Sequence, residues 1–95
     1  MRRRYLIAYD VSDDKRRAGV FKALMANGDH VQFSVFLCDL NDRELAELKG
    51  KLLQTVNQRQ DQVLILDFGP MDRDVNAMLQ CIGKSYEPRS RVLVV

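Results

Sequence analysis

The feature that most narrows the folds open to this chain is a repeated change of hydrophobic period within 95 residues, from two to 3.6 and back. Arg4 to Asp10 is short and apolar, and reads as a strand with Tyr5, Ile7 and Tyr9 on one face. Leu6, Ala8 and Asp10 share the other face, so Asp10 is expected to close an otherwise buried surface where the chain leaves the sheet. Val11-Ser12-Asp13-Asp14 then forms a turn into a helix running to about Asn27. Ser12 can cap that helix, and the two acids suit the positive end of its dipole. Val20, Phe21, Leu24 and Met25 form its apolar stripe, and Gly28 is the natural C′ stop.

His30 to Leu40 alternates again, with Val31, Phe33, Val35 and Leu37 on one side and Gln32, Ser34, Phe36 and Cys38 on the other. One half-buried strand satisfies this pattern, as do two short strands joined by a bend. A core role is expected for Phe33. Asn41 to Glu44 opens a second helix with a capping-box pattern, Asn standing in for Ser or Thr. Leu45, Leu48, Leu52, Leu53 and Val56 give its stripe, and Glu47 can pair with Lys51 outside. Gln62 to Phe68 is the next strand, ended by Gly69-Pro70, and Asp72 to Ala77 is a turn or a helical turn. Arg91 to Val95 is a terminal strand, free to pair with another subunit's sheet. Helices laid on a single antiparallel sheet in this order predict an α+β sandwich, a ferredoxin-like split βαβ with an extra C-terminal strand. One domain spans residues 1–95, with 85–95 as its tail. So small a core gains from pairing with a second copy.

The net charge of +2 says little, but its placement says more. Residues 1–22 hold seven basic residues (Arg2, Arg3, Arg4, Lys15, Arg16, Arg17, Lys22) against three acids (Asp10, Asp13, Asp14). Such a cluster favours a polyanion, because each neutralised phosphate releases counterions. An ordinary solvated face gives the same composition. Cys38 and Cys81 lie far apart with neither C-x-x-C spacing nor a nearby His, which disfavours a zinc site and points to reduced thiols. The basic start runs into an apolar segment too short for a signal peptide, and no stretch is long enough to span a membrane. A cytoplasmic location is expected.

Tyr9-Asp10, Asp13-Asp14 and Lys15-Arg16-Arg17 are the densest group of functional side chains. Their physics suits phosphate chemistry. A hard cation such as Mg²⁺ takes oxygen ligands and often uses one or two carboxylates beside substrate phosphates. Asp10 alone would hold it weakly, and a symmetric dimer bringing two copies together would double the ligands. The bound cation would polarise a phosphoryl oxygen and activate a water. Asp13 and Asp14 equally fit turn and N-cap chemistry, and Asp10 stands open between the two roles.

Tyr9-Asp-Val-Ser-Asp-Asp-Lys-Arg-Arg17, followed by Gly28-Asp-His-Val-Gln-Phe-Ser-Val-Phe36, resembles the CRISPR-associated protein two family across essentially the whole chain. The resemblance implies a ferredoxin-like fold and a homodimer in which the terminal strand crosses to the partner's sheet. It implies one divalent cation shared by Asp10 of both copies, and metal-dependent nuclease activity on RNA or double-stranded DNA. It also implies a role in spacer acquisition, where the dimer bridges copies of the CRISPR integrase and lies along the incoming DNA. Tyr9, Arg17 and Phe36 match positions that the resemblance associates with nuclease activity, while Lys15 and Arg16 are added as nucleic-acid contacts from their charge and place. Two departures stand out. His30 replaces a common Arg and is largely neutral at pH 7, and Leu37 stands where an acid often follows the Phe. The functional readings to separate are a metal-dependent phosphodiesterase, a non-catalytic DNA scaffold, a small-molecule regulatory domain and a toxin-type ribonuclease.

Overall fold

The alternation along β1, Arg3–Asp10, is realised as an inside and an outside: Tyr5, Ile7 and Tyr9 are buried, while their alternates are half-buried or exposed. The computed structural model describes residues 1–72 and 74–86. The remaining elements in chain order are α1 (Asp14–Met25), β2 (Asp29–Gln32), β3 (Val35–Leu40), α2 (Asp42–Thr55), β4 (Gln62–Pro70) and the short α3 (Val75–Met78). The expected terminal strand at 91–95 lies outside the described residues. The four strands form one antiparallel sheet in the order β2-β3-β1-β4, so β3 is inserted between β1 and β2 as a split βαβ requires. Both helices cover one face, where Val20, Ala23, Leu24, Leu48 and Leu52 pack with Tyr5, Ile7, Phe36, Cys38 and Leu40.

Local chemistry explains the helix starts. Asn41 caps α2 in a reciprocal capping box: its side chain accepts from the Glu44 amide at 2.8 Å, and Glu44 Oε1 accepts from the Asn41 amide at 2.9 Å. At α1 the cap is Asp13, not Ser12. Its Oδ2 accepts from the Arg16 amide at 2.9 Å, and the carboxylate adds a favourable charge at the dipole's positive end.

Four further expectations change. Gly28 lies two residues past the C-cap, Ala26, and lacks the positive φ of a C′ glycine. Close approach is what demands it, since a Cβ there would sit 2.4 Å from Cys38 Sγ and 2.5 Å from the Leu37 carbonyl oxygen. The stretch 30–40 takes the second of its two expected forms, two short strands joined by a turn at Phe33 and Ser34, and it is the place of Phe33 that changes. Phe33 is therefore 91% exposed, and the core ring is Phe36 at 0%. Pairing decides this: Ile7 faces Phe36 and Tyr5 faces Cys38, which puts the Phe36 side under the helices. Glu47 pairs with Arg43 rather than Lys51, at 3.1 Å, and Leu53 points to solvent.

The fourth change concerns the face carrying Leu6, Ala8 and Asp10. It is not closed by the described residues. Register places Leu64 and Leu66 of β4 beside Ala8 and Leu6, and these leucines are 49% and 45% exposed. The sheet thus has one helix-covered face and one open apolar face.

Candidate functional site

Asp10 is the last residue of β1, opposite Gln62 of β4, and is exposed. Its carboxylate has no hydrogen bond or ion pair among the described residues. Its neighbours in sequence are committed elsewhere. Asp13 caps α1, and Asp14 forms an ion pair with Arg17. Arg17 also donates from Nη1 to the carbonyl oxygens of Val11 and Ser12, both at 3.2 Å. The guanidinium therefore staples the loop that begins at Asp10 to the first turn of α1, and Val11 anchors the same loop in the core.

Tyr9 points to the opposite face of β1 from Asp10. Its amide donates to the Ser34 carbonyl at 3.1 Å, tying the strand end to the β2–β3 turn. Burial pushes the Tyr9 hydroxyl above the usual phenol range, partly offset by a hydrogen bond with Ser34 and by the charge of Arg17. Phe36 lies beneath it, fully buried, with ring centroids 6.3 Å apart; His30 stacks on the same ring at 4.8 Å and Phe21 meets it edge-on at 5.5 Å. A ring without solvent access cannot touch a phosphate, so Phe36 positions Tyr9 and His30.

The basic residues divide sharply. Arg16 is held by Asp61, at 2.8 Å from Nε and 3.2 Å from Nη2, and by Gln60. The Asp61 side chain is shut off from solvent, and the Arg16 hydrogen bond, with the Asn57 amide, holds its carboxyl below the usual range. Arg16 thus locks α1 to the loop before β4. Arg2 pairs with Glu44, Arg3 with Asp67 and Arg4 with Asp39. Five of the seven cations counted in residues 1–22 are therefore internally paired. Lys15 is exposed and has no side-chain partner among the described residues. It is the member of the basic triplet left for a phosphate.

Among the described residues no three His, Cys, Asp or Glu gather into a metal cluster. The donor set nonetheless fits a hard cation of the Mg²⁺ type, because Asp10 offers a free, exposed carboxylate and such ions complete their shell with water, phosphate or another chain. Asp13 and Asp14, engaged with backbone and Arg17, do not add to it. Sequence reasoning missed the partners Asp61 and Ser34. They lie 45 and 25 positions from the residues they contact, and no local pattern marks them.

Comparison with known proteins bears on this site. A family model described as CRISPR associated protein Cas2 matches residues 1–74. The chain is 35% identical over 91 residues to a Rhodospirillum rubrum protein named CRISPR-associated endoribonuclease Cas2 1, covering 96% of this chain and 88% of that one. A Thermus thermophilus protein named CRISPR-associated endoribonuclease Cas2 is 48% identical over 71 residues, 74% of each chain. The fold is similar to the crystal structure of Streptococcus pyogenes Cas2 at pH 6.5, with a TM-score of 0.72 and 25% identity over 84% of this chain and 99% of that one. The free strand-end aspartate, the stapled loop behind it and these similarities agree: the chain belongs to the CRISPR-associated Cas2 family.

Proposed function

We propose that two copies of this chain pair through the open sheet face, and that the dimer is a nucleic-acid-binding subunit of CRISPR adaptation that bridges the integrase. We further propose that Asp10 of both copies holds a divalent cation, Mg²⁺ in the first instance, and gives the dimer phosphodiesterase activity. The observation that carries this reading is the Asp10 carboxylate, unpaired among the described residues, at the rim of a face whose leucines remain about half exposed. The first supplies a ligand and the second a reason to pair, since an uncovered apolar patch is an interaction site. Relatives named as endoribonucleases support the chemistry.

A divalent cation, when bound, supplies charge for a phosphoryl oxygen and lowers the pKa of water. The residues of this chain do the rest. Asp10 presents its carboxylate without competition from a cation among the described residues. Arg17 keeps the following loop in one geometry through Val11 and Ser12. Lys15, exposed on the first turn of α1, is free to meet a phosphate. A purely electrostatic scaffold finds less support, because five of the seven basic side chains in residues 1–22 are already neutralised.

The test is Asp10→Asn. The variant should keep its fold and mass while losing cleavage of labelled RNA and duplex DNA in Mg²⁺, and EDTA should have the same effect on the unmodified protein. Cleavage that survives both changes would end the catalytic proposal. Loss of cleavage with normal spacer acquisition would leave the scaffold role as the biological one.

A further inference from the structure

Across the strands from Asp10 stands a second exposed polar side chain. Register sets Asp10 of β1 directly opposite Gln62, the first residue of β4. Alternation along β4 puts Gln62 on one face with Leu64 and Leu66, the open face to which Asp10 belongs, while Val63 and Ile65 turn to the core. Residues directly opposite on one face have Cβ atoms about 5 Å apart. Gln62 is exposed, and its carboxamide has no hydrogen bond among the described residues. The backbone is anchored on both sides of this pair. Arg17 fixes the loop after Asp10 through the carbonyls of Val11 and Ser12. Asp61, the residue before Gln62, accepts from Arg16 Nε and from the Asn57 amide, each at 2.8 Å.

We propose that the side-chain oxygen of Gln62 is a second ligand, beside Asp10, for the divalent cation. The assignment rests on the proposed cation at Asp10 and adds a residue to it. Hard cations take oxygen ligands, and neutral carboxamide oxygens serve alongside carboxylates. A pair of chains that shares one ion through Asp10 then offers two carboxylates and two carboxamides, whose summed charge balances a divalent ion. A carboxamide also keeps its N–H groups, which can donate to a phosphate oxygen of the substrate. A carboxylate in its place would repel that phosphate. Because the chain is anchored on either side, by Arg17 and by Arg16 with Asp61, the two oxygens are held near one another before any ion arrives.

The experiment titrates the full chain with Mn²⁺ alone, which favours the same oxygen ligands as Mg²⁺, and counts the free ion by electron paramagnetic resonance. No nucleic acid is present. Gln62→Leu removes the oxygen while keeping the bulk, and should weaken Mn²⁺ binding roughly tenfold. Gln62→Glu restores an oxygen and should bind at least as tightly as the unmodified protein. Both variants should keep the melting temperature, because the side chain is exposed. Unchanged affinity in Gln62→Leu, or an equal loss in Gln62→Glu, overturns the inference. Loss of binding in Asp10→Asn with none in Gln62→Leu removes Gln62 alone from the site. An unmodified protein that takes up no Mn²⁺ ends the cation proposal at Asp10 as well.

Discussion

The two faces of one sheet differ more than any two elements of this molecule. On the covered face Tyr5, Ile7, Tyr9, Phe36, Cys38 and Leu40 are closed under α1 and α2. On the other, Leu64 and Leu66 stay about half exposed and Asp10 has no partner among the described residues. Adjacent residues of β1 serve opposite ends: Tyr9 belongs to the core, Asp10 to the surface. The covered face sets the fold, and the open face is where the proposed second copy would pack.

If that division is real, mutations on the two sides must fail in different ways. Ile7→Ala on the covered face removes a fully buried side chain and should cost about 3 kcal/mol in chemical denaturation. A loss below about 1 kcal/mol would deny that this face governs stability. Gly28→Ala forces a methyl group into Cys38 and the Leu37 carbonyl, for a cost of about 1–3 kcal/mol in the same assay. An unchanged midpoint would mean that the α1–β2 junction relaxes freely.

Acid should act through the ion pairs that tie the edges together. Asp61 is held below the usual range first by Arg16, Asp67 by the Gly69 amide and then Arg3, and Glu44 by the Asn41 amide and then Arg2. Because the folded values are depressed, their contribution is complete above the unfolded carboxylate pKa of about 4 and disappears as pH falls through the folded values. A thermal midpoint that declines in that window, and less steeply in Asp61→Asn, is the expected outcome. A midpoint that rises on acidification would contradict it. Smallest in stability, and sharpest in discrimination, is Leu64→Glu with Leu66→Glu on the open face. Each chain should keep its circular dichroism spectrum, with changes within about 0.5 kcal/mol, while sedimentation reports a single chain in place of a pair. A double variant that still sediments as a dimer would place the interface elsewhere.

Much of this was readable along the chain where the physics is local. The Asn41 capping box, the stripes of α1 and α2, and the alternation of β1 depend on residues within a few positions of each other. The site was half readable: Asp10 at a strand end, and Arg17 beside it. The basic cluster misled, because charges in residues 1–22 meet Asp39, Glu44, Asp61 and Asp67 from far along the chain. Phe33 and Phe36 exchanged their expected places for a similar reason, since alternation separates two faces without saying which one the helices will cover.

By itself, the order of residues determined the succession of strands and helices, the family to which they belong and the place of Asp10 in that succession. Period and capping act through neighbouring backbone groups, so no folding was needed to see them. Only the tertiary structure decided which cations remain free, which sheet face stays open and why Gly28 cannot carry a side chain. Each of those depends on β1 meeting β3 and β4 in one register, and on helices settling on one side of the result.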